Sequence, residues 1–244
     1  MDRKRIINIY VAVLTVITVI GILVGVWRIF GNGGLRIFSS QGDISESMEL
    51  DSFDKINIDV NVCEVNMQYG DKYEVSYEIS GPGAQSHIPV VEVKNGELTI
   101  TKKAHKSVGI SKSLISSQLS VTIPQSANMS DITVNTEVGD FKIKDIACDN
   151  FTIDSDVGDV EINNVSANVI SINTDVGDLD IKNSTFNTID IESNVGDVEV
   201  DNTVCELIKG DCNVGDVRLN NVKNAAGDDP QMDIDLDIGD KKVN

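Results

Sequence analysis

The segments FTIDSDVGDVEINNVSANV (residues 151–169) and ISINTDVGDLDIKNSTFNT (residues 170–188) decide the fold, because one pattern is written twice in succession. The tripeptide Val-Gly-Asp that they share begins at Val138, Val157, Val176, Val195 and Val214, always 19 residues apart, and returns as Ile-Gly-Asp at Ile238 after 24. A fixed period within one chain is the mark of stacked structural repeats.

Aligned on the tripeptide, the rungs begin at Ile132, Phe151, Ile170, Ile189, Ile208 and Met232. Two positions later stand Val134, Ile153, Ile172, Ile191, Gly210 and Ile234, with a polar column between the two apolar ones. This alternation, rich in β-branched residues, marks a strand with one buried face. Past the tripeptide, Phe141, Val160, Leu179, Val198 and Val217, then Ile143, Ile162, Ile181, Val200 and Leu219, flank Lys142, Glu161, Asp180, Glu199 and Arg218. Each rung therefore carries at least two short strands. One rung cannot fold alone, since ordering its backbone outweighs burial of its few aliphatic side chains. Nineteen residues leave no room for a crossover helix, so equivalent strands are expected to stack in register as a single-stranded parallel β-helix.

Gly139, Gly158, Gly177, Gly196, Gly215 and Gly239 are the structural glycines of this repeat, expected at positive φ in the corner. The aspartate after each one can bond its own backbone there. Asp145, Asn164, Asn183, Asn202 and Asn221 align at a second corner, where stacked amides can pass hydrogen bonds from rung to rung.

The first half divides differently. Residues 1–5 (MDRKR) are a basic cytoplasmic N-terminus, and residues 6–27 are an apolar run. As a helix that run would be about 33 Å long, enough to cross the hydrocarbon core. Arg3, Lys4 and Arg5 outweigh Arg28 and Arg36, which predicts a single-pass protein of the cell membrane with its C-terminal domain extracellular. No small-residue cleavage site follows, so the anchor reads as uncleaved, with a cleaved signal peptide as the lesser alternative. Residues 28–49 read as a linker opening on GNGG, residues 50–131 as an N-terminal β cap with an insertion, and residues 132–244 as the repeats. INIDVNVCEVNM (56–67) fits the rung template with Val62-Cys63-Glu64 in place of the tripeptide, a degenerate capping rung. The insertion from Gln68 to about Leu119 reads as β. Tyr73, Val75, Tyr77 and Ile79 alternate, GPG turns at 81–83, and Asn95-Gly96 joins Val91 and Val93 to Leu98 and Ile100. Val121 and Ile123 then lead back into the coil.

FDKINIDVNVCEV (53–65), NGELTIT (95–101), VTIP (121–124) and the serial VGD units, in that order, resemble the bacterial putative-adhesin family, a β-strand-repeat group known as a domain of unknown function. The resemblance covers roughly residues 50–240. It implies an envelope location and a right-handed hand for the β-helix, so the fold expected is an all-β, single-stranded right-handed parallel β-helix preceded by one N-terminal transmembrane helix. It also implies a link to cell-envelope stress systems for some members, and no established catalytic residue. Cys63 and the long last spacing depart from the common pattern.

Of the net charge of −19, residues 132–244 carry −17, from 8 basic and 25 acidic groups. Nucleic-acid binding is thereby disfavoured, because it needs cations that displace counterions. Asp140, Asp159, Asp178, Asp197, Asp216 and Asp240 form a column, with Glu137, Asp156, Asp175 and Asp237 beside it. Oxygens repeated at about 4.8 Å make these aspartates calcium candidates. The preferred reading is solvated corner residues, since the glycine-rich nonapeptide of calcium-roll repeats is missing. Lys102, Lys103, His105, Lys106 and Lys112 form a basic cluster that could meet anionic wall polymer or lipid, or serve as a solubilising loop. His87 and His105 are the only histidines, too few for a transition-metal site. Cys148 and Cys205 share a column three rungs apart, beyond disulfide reach, and the four cysteines read as buried free thiols.

These observations favour a non-catalytic, membrane-anchored adhesin or envelope scaffold. Its expected partners are the membrane and an envelope protein or wall polymer, with no cofactor, no nucleic acid and a monomeric ectodomain. The alternative is the ectodomain of an envelope-stress regulator acting through a membrane partner. A polysaccharide-active enzyme is the third reading. It lacks a convergent cleft, since the repeats hold no histidine and Arg218 as their single arginine.

Overall fold

The computed structural model describes residues 43–81, 84–101 and 115–244. In chain order, β1 (Ile44–Glu49), β2 (Lys55–Val62), β3 (Glu64–Gly70), β4 (Glu74–Ser80), a 3-10 turn (Ala84–His87), β5 (Val90–Lys94), β6 (Glu97–Thr101) and β7 (Ser116–Pro124) form the N-terminal part. Long and short strands then alternate: β8 (Met129–Val138) and β9 (Phe141–Lys144), β10 (Ala147–Val157) and β11 (Val160–Asn163), β12 (Ser166–Val176) and β13 (Leu179–Lys182). The pattern continues with β14 (Thr185–Val195) and β15 (Val198–Asp201), β16 (Leu207–Val214) and β17 (Val217–Asn220), β18 (Gln231–Ile238) and β19 (Lys241–Val243).

Two sheets result. The ten-stranded sheet runs β1-β4-β7-β3-β9-β11-β13-β15-β17-β19, and the nine-stranded one β18-β16-β14-β12-β10-β8-β2-β6-β5. From β8 onward all pairing is parallel with a register shift of one repeat, so Phe151 lies beside Ile132 and Ile170, and Val160 beside Phe141 and Leu179. The apolar columns of the sequence face inward and are almost wholly buried except in the last rung, where Met232 and Ile234 are half-buried, and Phe141 and Phe151 meet edge to face at 5.9 Å.

The expectation of a purely parallel β-helix is corrected. Both sheets are mixed: β1–β4, β4–β7 and β5–β6 pair antiparallel. β1–β4 and β4–β7 join segments distant in the chain, but for β5–β6 the reason is local, because a two-residue turn joins only antiparallel strands. That turn is Asn95 (φ 53°) and Gly96 (φ 80°). The expected transmembrane segment, residues 6–27, lies outside the described residues, and among those described no helix is long and apolar enough to cross a membrane.

Three further differences concern the first half. Within the expected linker, Ile44–Glu49 forms β1, an edge strand whose only apolar residues are Ile44 and Met48. The degenerate rung β2–β3 does align with the repeats, Ile56 on Ile132, Val62 on Val138 and Val65 on Phe141. It is not the end of the stack, however: β6 and β7 lie outside it, paired parallel with β2 and β3. Val121 and Ile123 accordingly pair with Met67 and Tyr69 on the outer side, and the chain passes over an occupied level to reach β8.

The long strands also hold a third side that the two-strand reading omits. Cys148 is buried, the next two residues are exposed, and Phe151 is buried again, so alternation breaks at a bend. Met129, Cys148, Ala167, Phe186 and Cys205 line that side. The five residues that lengthen the last spacing lie in the loop between β17 and β18. There the Asn224 side chain accepts the N–H groups of Ala226 (3.0 Å) and Asp228 (2.9 Å).

Candidate functional site

The tripeptide corner is the most regular surface feature. Gly139, Gly158, Gly177, Gly196, Gly215 and Gly239 have φ between 141° and 152°. Their lack of a side chain matters twice. A Cβ on Gly177 would stand 2.0 Å from the carbonyl oxygen of Gly158, and every other member of the column from Gly158 to Gly239 would meet the glycine one rung back in the same way. Positive φ is legible from the sequence as turn chemistry. The backbone contact between rungs is visible only once they stack.

The aspartates of this corner do not close on their own backbone. Asp140, Asp159, Asp178, Asp197 and Asp216 each accept, at Oδ1, the N–H of the equivalent aspartate one rung on: Asp159, Asp178, Asp197, Asp216 and Asp240, at 2.8–3.1 Å. Arg218 reaches across two rungs, Nη1 to Asp197 Oδ2 (3.0 Å) and Nη2 to Asp216 Oδ2 (2.6 Å). The Asp216 N–H, and after it the guanidinium, hold the Asp197 carboxyl below its ordinary range. Beside this ladder, Glu137, Asp156, Asp175 and Asp237 share a row with Asn194 and Asn213. Asn194 donates to Asp175 (2.6 Å) and Asn213 to Asn194 (2.6 Å). Asp156 has its pKa raised by loss of solvent and then by the carboxylates of Asp175, Asp154 and Glu137. Among the described residues no group of three or more His, Cys, Asp or Glu side chains is arranged to hold a metal ion.

At the second corner Asp145, Asn164, Asn183, Asn202 and Asn221 adopt left-handed φ of 47–58°, the conformation Asn and Asp tolerate best. Asn164 donates to Asp145 (2.6 Å) and Asn221 to Asn202 (2.9 Å), whereas Asn183 crosses to Asn163 (3.1 Å), so the amide ladder is broken in the middle.

The interior holds a column that the sequence reading passed over. Thr136, Ser155, Thr174 and Ser193 stack inward just before the turn, and their hydroxyls are buried without a hydrogen-bond partner. Val60 stands beside Thr136 in this column, and Cys212 and Leu236 follow Ser193. Their signal was the recurrence of a small hydroxyl residue at one rung position. The four cysteines are buried and none forms a disulfide. Burial, then the Asp149 carboxylate, pushes the Cys148 thiol up to about 12, and burial with Glu206 pushes Cys205 up to about 11. His87 ends the 3-10 turn, while Lys102, Lys103, His105, Lys106 and Lys112 lie outside the described residues.

Where repeats meet cap the surface is not periodic. β9 ends at Lys144 and the chain turns at Asp145, but β3 runs on past that level, its pairing with β7 continuing through Tyr69–Ile123 and Gly70–Pro124. Tyr69 replaces the missing corner by accepting the Ala147 N–H at its hydroxyl (2.9 Å). A groove flanks this step on each side. One, of about 210 Å³, is lined by Asn66, Gln68, Lys142, Lys144, Glu161 and Asn163. The other, of about 360 Å³, is lined by Tyr69, Gln125, Asp145, Asn164 and Ser166 with the Ile146–Ala147 segment.

Stacked rungs, corner ladders and a polar outer surface define a β-repeat protein. The chain belongs to the Toastrack DUF4097 family, which matches residues 53–242. Its fold is shared by a crystal structure of a putative adhesin from Bacteroides fragilis NCTC 9343, at 21% identity and a TM-score of 0.52, covering 84% of this chain and 98% of that one. A putative cell adhesion protein from Clostridium sporogenes ATCC 15579 aligns over 83% of this chain and 99% of its own at 13% identity and a TM-score of 0.45. A putative adhesin from Parabacteroides distasonis ATCC 8503 aligns over 83% and 97% at 14% identity and a TM-score of 0.44. No curated protein matches the sequence.

Proposed function

We propose that this chain is a non-catalytic adhesin or envelope-interaction protein of the bacterial cell surface, held at the membrane through its apolar segment 6–27, with the N-terminus cytoplasmic and the repeat region outside. The observation that carries this reading is how the carboxylates are used. The aspartate column, a source of repeated acids in the rungs, accepts backbone N–H groups from rung to rung, and Arg218 donates to oxygens of two of its members. Glycoside chemistry needs two carboxylates facing each other across a bond, and a row spaced by a repeat along one edge does not face anything. The family match and the basic residues before the apolar segment support the same reading.

A C-terminal epitope on the full chain tests it in cells. Antibody should label intact cells, and deleting the gene should lower attachment to surfaces or to other cells. Label that appears only after permeabilisation, or attachment unchanged by the deletion, overturns the proposal. Release of reducing ends from wall glycans by the purified chain would overturn its non-catalytic part.

A further inference from the structure

The periodic part of the surface repeats the same convex corner rung after rung, and its side-chain oxygens and amides are largely engaged with the rungs above and below. The step at Tyr69 is different. It exists because β3 and β7 run straight where β9 and β11 turn, so it is a concavity that no other rung can copy. From it we propose that the two grooves at this step form a binding site for a neutral oligosaccharide, a proposal that rests on the surface-interaction reading above and gives it a location and a ligand class.

The lining carries the chemistry. Asn66, Gln68 and Asn163 on one side of the step, and Gln125 and Asn164 on the other, present carboxamides, of which Asn66 also donates to Glu64 (3.3 Å), Asn164 donates to Asp145 (2.6 Å) and Asn163 accepts from Asn183 (3.1 Å). A carboxamide both donates and accepts, as a sugar hydroxyl does, so one side chain can satisfy two neighbouring hydroxyls. Gln68 and Gln125 are exposed and take no part in the rung-to-rung bonding that engages the corner asparagines. Tyr69 contributes an aromatic ring to the wall while its hydroxyl is held by Ala147, which fixes the ring as a platform for the apolar face of a pyranose. Lys142 and Lys144 meet Glu64 and Asp145 only at 3.9 and 3.8 Å, so their ammonium groups remain available as donors at the rim.

Size and charge narrow the ligand. The larger groove, 360 Å³, falls at the small end of the about 300–1,000 Å³ usual for small-molecule sites, and the smaller one extends it along the sheet. A short linear oligomer lying across the step matches that shape better than a compact ligand. An anionic polymer is disfavoured, because the repeat region carries −17 and its field opposes approach even where two lysines stand at the rim.

The test uses the purified full chain in detergent and three probes: cellotetraose, N-acetylchitotetraose and tetragalacturonate, each followed by saturation-transfer NMR and by retardation on a column of immobilised protein. At least one neutral tetramer should bind and the uronate should not. Gln68→Ala/Gln125→Ala, which removes one carboxamide from each groove, should weaken binding about tenfold, the loss expected for one or two hydrogen bonds. Thr152→Ala on the exposed face of β10, away from both grooves, should leave it unchanged, and equal melting temperatures of the variants would show that the fold is intact. Should the double variant melt early, Asn66→Ala alone gives the same reading. Failure of both neutral tetramers to bind, preference for the uronate, or undiminished binding by the variants overturns the site. In that event unchanged loss of attachment on gene deletion would leave the surface-interaction reading standing, whereas binding without any attachment phenotype would overturn that reading and keep the site.

Discussion

The repeat region and the N-terminal part obey the same side-chain rules but build different topologies. From β8 to β19 the order along the chain is the order in the stack, and each rung rests on the one before it. Before β8 the chain lays down β2 and β3, leaves to form β4 and β5, returns to place β6 and β7 outside them, and then crosses to the far side. Both regions bury alternate residues of their strands, and Ile56, Ile58, Val65 and Met67 are as deeply buried as their counterparts in the repeats. What differs is the corner. A repeated Gly-Asp corner returns every rung to the same place, whereas Cys63 stands where a glycine would, and its Sγ accepts a hydrogen bond from Ser117 (3.4 Å) in the neighbouring strand. The pattern of a strand therefore specifies its inward face, and the corners specify its neighbours.

The largest test of that contrast is a pair of substitutions. Gly177→Val places a β-branched side chain at φ 152° with its Cβ 2.0 Å from the Gly158 carbonyl oxygen of the preceding rung. It should cost about 3 kcal/mol or more, since both the torsion and the clash are unrelieved. Gly70→Ala, in the N-terminal part, would meet only the Thr122 Cγ2 methyl, at 2.2 Å, and rotation of that side chain should keep the cost to about 1 kcal/mol. Urea melts of both variants decide; equal losses would mean that corner glycines are no more demanding than strand glycines.

The inward hydroxyl column gives a smaller effect of opposite sign in the two regions. Thr174→Val removes a buried hydroxyl that has no partner and keeps the shape, so stability should rise by about 1 kcal/mol. Val60→Thr introduces such a group in the same column, beside Thr136, and should lower it by about as much or more. If Thr174→Val instead destabilises, the hydroxyl has a partner such as an internal water.

Acid sensitivity should be smaller still and should reside partly in the last rungs. The Asp197 carboxyl is held below its ordinary value by the Asp216 N–H and then by Arg218. A depressed carboxyl adds stability that is fully present above its unfolded value of about 3.9 and is lost as pH falls through the folded one. Arg218→Gln should therefore be less stable than the parent at neutral pH, with the difference shrinking below about pH 4. A gap that stays constant into acid would place the role of Arg218 in packing. In the first half, Asp131 is depressed chiefly by its bond to Lys55, and Lys55→Gln should give the same shape of profile.

The smallest expected effect concerns calcium. With Oδ1 of Asp140, Asp159, Asp178, Asp197 and Asp216 accepting backbone N–H groups, the melting temperature in millimolar CaCl2 should match that in NaCl of equal ionic strength. A calcium-specific rise that disappears in Asp159→Asn/Asp178→Asn would restore the column as a cation site.

The 19-residue period, the inward columns and the turn at Asn95-Gly96 were legible in the sequence because they depend on residues close together in the chain: a torsion only glycine adopts easily, or alternation along one strand. The alignment of Ile56 and Val65 with the repeats was legible for the same reason. The grooves beside Tyr69 were not, because their walls come from β3, β9, β11 and the segment after β7, and no spacing within one of these announces the others. Local pattern by itself determined which side of each strand is buried and where each rung turns, since backbone sterics and the cost of leaving apolar groups in water act residue by residue. Only the tertiary structure decided that β6 and β7 lie outside β2 and β3, that β1 and β4 join the ten-stranded sheet antiparallel, and that an aspartate binds the next rung instead of its own. Those outcomes depend on which strand edge lies nearest when the chain returns, and a backbone N–H or C=O pairs equally well with any edge that comes within reach.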